Sequence, residues 1–176
     1  IKYNGLIEYS FNDKKEYRKE YPVNSIRLEY LYDINQLGQQ YMYTNKDNIF
    51  LAWKRQRDTR ATYLRNAELA YYREHYNGIA YGATLRNKKE IATDYAVFDR
   101  IEADGHITPV KSYSMTEMEF KFRYAPNEKF YQTRNYRYPI TFDAPVITLS
   151  HITARKGVLG ADYTYNRTDL GIQKRF

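Results

Sequence analysis

Three histidines, His75, His106 and His151, are the only imidazoles in the chain, and there is no cysteine. A metal centre needs ligands at convergent spacings and an outer shell that orients them. These three are far apart and share no ligand spacing. The lack of cysteine excludes thiolate metal sites, disulfides and sulfur nucleophiles. The sequence has no nucleophile elbow, no Gly-rich phosphate loop and no zinc-protease helix motif. Glu117 and Glu119 come nearest to a paired-carboxylate acid–base site. They alternate with bases along one strand, as a wetted face does and a glycosidase pair does not. The expectation is a chain without catalytic, metal or cofactor-binding residues.

The same stretch, Glu117 to Tyr124, carries the clearest physical signal. Met118, Phe120, Phe122 and Tyr124 fall on one side of a period of two, and Glu117, Glu119, Lys121 and Arg123 on the other. A helix would mix these sets, whereas a strand separates them. Aromatics interleaved with bases also suit a nucleic-acid platform, where rings stack bases and cations meet phosphate. Such a platform needs both kinds on one face. This alternation places them on opposite faces, so no nucleic-acid partner is expected.

Around that strand the chain reads as all-β, an antiparallel up-and-down meander of about eight strands. The segments are Tyr3–Phe11, Ile26–Asp33, Asn48–Gln56, Arg60–His75, Ile79–Asn87, Glu117–Tyr124, Pro145–Ala154 and Ala161–Arg175. Turn residues separate them: Asn12-Asp13, Asp58, Asn77-Gly78, Asp104-Gly105, Pro126-Asn127 and Lys156-Gly157. Asn77-Gly78 allows two hairpin registers. A two-residue loop sets Tyr72 opposite Ala83. A three-residue loop, Tyr76-Asn77-Gly78, sets Leu69 opposite Leu85 and Tyr71 opposite Ala83, which keeps the apolar sets on one face. The second is expected, as is a pairing through Arg155 to Gly160. Connections alternate between short (Gln56–Thr59, Tyr76–Gly78) and long (Asn35–Asp47, Lys88–Tyr113, Ala125–Ala144). Short turns at one end and long loops at the other is the layout of an outer-membrane barrel.

Composition agrees with a boundary between grease and water. Of 176 residues 21 are Tyr, 8 Phe and 1 Trp, and Tyr joins an apolar body to a polar tip. The same enrichment also suits a soluble domain that binds through tyrosines. The net charge of +7 is scattered, with no basic arm. No run approaches 18 apolar residues, so no transmembrane helix is expected, but a spanning strand needs only every second residue apolar. Length points to one domain, residues 1–176. The start at Ile1, without Met or a signal peptide, reads as an internal or processed segment.

Three sets of residues resemble one family. The first is Ala144-Pro145-Val146-Ile147-Thr148-Leu149-Ser150-His151 with Ala154-Arg155-Lys156-Gly157-Val158-Leu159-Gly160-Ala161-Asp162-Tyr163-Thr164-Tyr165 and Leu170-Gly171-Ile172-Gln173-Lys174-Arg175-Phe176. The others are Tyr30-Leu31-Tyr32-Asp33-Ile34-Asn35-Gln36-Leu37-Gly38-Gln39 and Arg123-Tyr124-Ala125-Pro126-Asn127-Glu128-Lys129-Phe130-Tyr131. They look like the Bacteroidota outer-membrane proteins of unknown function with an N-terminal carboxypeptidase-regulatory-like domain. Their barrel is distantly similar to the surface-antigen, BamA type. The resemblance implies a regulatory-like module before this region, further strands after Phe176, and no catalytic residues to carry over. On it, the Asn166-Arg167-Thr168 sequon is accidental.

Two readings follow. The first is a segment of a transmembrane β-barrel in the bacterial outer membrane, structural, transporting or assembling in role. Its partners would be outer-membrane lipid and other outer-membrane or periplasmic proteins. Met118, Phe120, Phe122 and Tyr124 then face lipid, and Glu117, Glu119, Lys121 and Arg123 face the interior. The second is a soluble tyrosine-rich barrel or sandwich that binds a small molecule, glycan or nucleic acid. Although Phe176 resembles the terminal aromatic of many outer-membrane proteins, the expected form is an open curved sheet, with the Tyr3–Phe11 and Leu170–Phe176 strands unpaired.

Overall fold

The computed structural model describes residues 2–12, 22–36, 61–93, 97–102, 104–132, 137–140 and 144–174. Seven long strands carry the fold: β1 (Tyr3–Ser10), β2 (Asn24–Gln36), β3 (Ala61–Glu74), β4 (Ile79–Ala92), β7 (Ser112–Tyr124), β10 (Val146–Ala154) and β11 (Tyr165–Gln173). They form one antiparallel sheet in the order β1-β2-β3-β4-β7-β10-β11. Two small hairpins, β5 (Phe98–Ile101) with β6 (Ile107–Val110) and β8 (Phe130–Gln132) with β9 (Arg137–Pro139), interrupt the meander without joining it. The sheet is open. Among the described residues neither β1 nor β11 has a second neighbour.

Seven of the expected strands are present with shifted ends, and Asn48–Gln56 lies outside the described residues. β4 runs past Asn87 to Ala92 despite Lys88, Lys89 and Glu90. Alternation keeps Lys89 exposed on one face, while on the other Lys88 pairs with Glu90 at 2.5 Å. The β3–β4 hairpin adopts the three-residue loop. His75 and Ile79 close it through a 2.8 Å bond, Gly78 takes φ +80°, and Leu69 stands opposite Leu85 and Tyr71 opposite Ala83. A Cβ at Gly78 would lie 2.2 Å from the Ala125 carbonyl oxygen, so both the turn and its neighbour demand glycine.

Two expectations about connections need correcting. Short and long connections do not segregate by end. The Tyr76–Gly78 turn and the long stretch from Ala125 to Ala144 leave the sheet at the same end, because Ile79, Tyr124 and Ile147 are level. Length there is set by the hairpins carried outside the sheet, β8–β9 at this end and β5–β6 at the other. The β10–β11 pairing begins at Ala154 and Tyr165, so its loop extends four residues past Gly160. The extra residues do work on β7. The Asp162 N–H donates to the Ser114 carbonyl and the Ser114 N–H to the Asp162 carboxylate, each at 2.8 Å. The β5–β6 hairpin braces this seam: Arg100 meets Asp162 at 2.8 Å and lies over the Tyr163 ring.

Among the described residues Ile152 is the one large apolar side chain that is buried. The buried hydrophobics are Ala80, Ala125, Ile152, Ala154 and Ala161, and the largest fully enclosed side chain is Thr62. A soluble domain of this size buries its Leu, Ile and Phe.

Candidate functional site

Residues paired across an antiparallel ladder share a face, so the register assigns every strand residue to one of two faces. On β7, Met118, Phe120, Phe122 and Tyr124 lie on one, 43%, 46%, 41% and 37% exposed. Level with them on β4 are Leu85, Ala83, Tyr81 and Ile79. Leu149 and Ile147 continue the set on β10, and Leu170 and Ile172 on β11. In the other direction it runs through Leu69 and Tyr71 to Ile26, Leu28 and Tyr30, then to Ile7 and Tyr9. The result is a continuous apolar surface across all seven strands. Contiguous exposed apolar surfaces of this kind mark contact with a partner or a membrane.

Glu117, Glu119, Lys121 and Arg123 occupy the opposite face, but in unequal settings. Glu119 is buried; it accepts a hydrogen bond from Ser150 at 2.9 Å and lies 3.3 Å from Lys121 and 3.8 Å from Arg86. Glu117 takes Arg86 at 3.1 Å and the Tyr165 hydroxyl. Arg86 also holds Glu68 at 2.8 Å. Arg123 grips Glu128 through two bonds of 2.6 and 2.7 Å. Lys121 stays more than half exposed.

The carboxylates sort completely between the faces of the seven-stranded sheet. Every described carboxylate on the strands of this sheet, namely Glu8, Glu29, Asp33, Glu68, Glu74, Glu90, Glu117, Glu119 and Asp169, lies on the polar face. Among the described residues the apolar face carries none. Its only strand Lys and Arg residues are Arg65, Arg73 and Lys89.

Residues 58–176 match the C-terminal domain of a family of unknown function, DUF5686. The chain belongs to this family. No curated protein and no solved structure matches it. The DUF5686 match runs from just before β3 through β11, so it contains most of the apolar surface and the whole Arg86 network.

The histidines do not converge. His75 packs against Tyr81, His151 shares a 2.8 Å bond with Thr168, and His106 sits in the β5–β6 turn, its backbone N–H donating to the Asp104 carboxylate. Among the described residues no group of His, Asp and Glu has metal-site geometry. The network members that sequence reasoning missed in this DUF5686 domain are Arg86, Glu68, Ser150 and Tyr165. Arg86 stands opposite Glu117 only because β7 pairs with β4 across the β5–β6 excursion, and no local pattern announces that register.

Proposed function

We propose that this chain is part of the wall of a transmembrane β-barrel in a bacterial outer membrane, with its apolar face in lipid and its polar face toward the lumen. The role is structural, transporting or membrane-assembling, without catalysis. The resemblance to barrel proteins that carry a regulatory-like module supports the location.

The observation that carries the reading is the slope of the apolar band. Following ladder pairs from Ile7 leads through Leu28, Leu69, Leu85 and Met118 to Thr153 and Asn166. The band has left that row by β11, where Leu170 and Ile172 lie about four to six residues farther on. It thus drifts by close to one residue per strand. With a rise of about 3.3 Å and strands about 4.8 Å apart, this is a slope of roughly 35°. Strands of transmembrane barrels tilt by about 35–45°, and a band level with the membrane must cross them at that angle.

The slope also has a hand. For an L-residue whose side chain faces the viewer on a rising strand, N–H and C=O point right. Phe11 donates to Asn24 and His75 to Ile79, so β2 through β11 succeed one another to the right of β1 when the apolar face is viewed. The band climbs in that direction, and levelling it leans the strands to the right. On the outer surface of a barrel, this lean gives neighbours the rotation of about −20 to −25° that L-amino-acid sheets adopt. With the apolar face inside, the same slope would require the opposite rotation.

Fractionation of cells expressing the full-length protein tests the reading. It is expected in the outer membrane, resistant to carbonate extraction, and monodisperse only with detergent. A monodisperse soluble protein without detergent would support the tyrosine-rich binding domain instead.

A further inference from the structure

Among the described residues the strands of the apolar face carry cations and no anions, and two of their three bases stand side by side. Tyr3, Tyr32, Arg65, Lys89 and Ser114 form one continuous row across five strands. The Arg65 guanidinium lies over the Tyr32 ring at 5.8 Å. Tyr32 stacks on Tyr63, with centroids 6.1 Å apart and planes 7° apart, and leans on Tyr3 at 6.0 Å. Tyr3, Tyr30, Tyr32, Tyr63 and Arg65 surround a cavity of about 500 Å³. Among the described residues neither Arg65 nor Lys89 has a carboxylate partner, whereas all six strand bases of the polar face have one.

We propose that Arg65 and Lys89, adjacent in this row, bind the phosphate of an anionic lipid headgroup at one rim of the apolar band. The inference rests on the membrane reading above and deepens it by naming a partner. Depth supports it. Arg65 is four residues along β3 from Leu69, which lies mid-band. At about 3.3 Å per residue and a tilt near 35°, its Cα lies about 11 Å from the midplane. Half of an apolar band about 25 Å tall is about 12 Å, so the guanidinium reaches the phosphate layer. A cation–π contact with the Tyr32 ring positions the guanidinium, and its planar fork engages phosphate through two N–H groups. Lys89, directly opposite on β4, adds a second charge. Arg73, the third outward base, is at the other rim and has no such ring contact among the described residues.

The test uses the full-length protein in zwitterionic detergent, titrated with short-chain phosphatidylglycerol, short-chain phosphatidylcholine or inorganic phosphate, with bound lipid counted by native mass spectrometry. Wild type is expected to prefer phosphatidylglycerol to both. Arg65→Gln should weaken that binding about five-fold, and Arg65→Gln with Lys89→Gln about ten-fold or more. Arg73→Gln should change it less than two-fold. Equal affinity for the two lipids, equal loss in R65Q and R73Q, or inorganic phosphate bound as tightly as lipid would overturn the proposal. Insertion of each variant into phosphatidylcholine vesicles is scored separately. Wild type that fails to insert sinks the membrane reading, while wild type that inserts without lipid preference sinks only this site.

Discussion

On the polar face each of six strand bases meets a carboxylate, while on the apolar face Arg65, Arg73 and Lys89 meet none among the described residues. The two faces come from the same strands, often from adjacent residues. The polar face gives each of its strand bases a carboxylate and encloses some of those carboxylates, as Glu90 and Glu119 show at 3% and 6% exposure. The apolar face leaves Leu28, Phe120 and Leu170 uncovered and supplies no counter-charge. On the membrane reading proposed above, the apolar face finds its complement in a medium that is greasy in the middle and anionic at its edges. A perturbation should therefore cost most where it contradicts the medium and least where the chain can rearrange its own charges.

Phe120→Arg should have the largest effect. Phe120 lies within the apolar run on β7, and a base facing the bilayer midplane of a barrel costs about 2–4 kcal/mol. Denaturant-dependent unfolding of the full-length protein from vesicles measures it. A change of less than about 0.5 kcal/mol, ordinary for an exposed position in water, would show that Phe120 does not meet lipid.

Arg123→Ala comes next, at about 2 kcal/mol. It leaves Glu128, whose side chain is 8% exposed, without its two-pronged partner. Stranding one member of a fully buried pair costs about 3–5 kcal/mol. Arg123 keeps 32% of its side chain exposed, and solvent there reduces the cost. If Glu128→Gln added to Arg123→Ala restores nothing, the pair does not act as a unit.

A double-mutant cycle of Arg86→Met and Glu117→Gln should return a coupling of about 1 kcal/mol. Their 3.1 Å contact is partly buried and shared with Glu68 and Glu119, and charges within one network couple by about 0.5–3 kcal/mol. Additive single effects would mean that Glu117 is served by the Tyr165 hydroxyl alone.

Much of the fold was legible because it is local. Period two fixed which β7 residues share a face, and keeping Leu69 and Leu85 together selected the loop that the β3–β4 hairpin adopts. Connection geometry was not legible. Nothing in Lys88–Tyr113 or Ala125–Ala144 says that small hairpins stand outside the sheet, so reading loop length as an indicator of end failed. The candidate site was half legible. The sequence separates Glu117, Glu119, Lys121 and Arg123 from the aromatics but treats the four alike. Their ranking depends on Glu68, Arg86, Ser150 and Tyr165, which reach them only through register. The slope of the apolar band is likewise a property of six aligned ladders and of no single strand.

The ranking yields the smallest expected effect, at Lys121. From the sequence, Lys121 and Arg123 are equivalent bases on one face. In the structure Lys121 keeps 56% of its side chain exposed and makes a single 3.3 Å contact with Glu119. That carboxylate does not depend on it, because Ser150 donates to Glu119 at 2.9 Å and Arg86 stands 3.8 Å away. An exposed pair is worth about 0–1 kcal/mol, and the carboxylate left behind remains hydrogen-bonded. Lys121→Ala should therefore cost less than about 0.5 kcal/mol in the same vesicle unfolding experiment. The adjacent Phe120→Arg should cost several times more, although the two positions are consecutive. A cost at Lys121 equal to that at Arg123 would mean that the polar face responds to total charge, and that the individual contacts at Ser150, Arg86 and Glu128 do not set its stability.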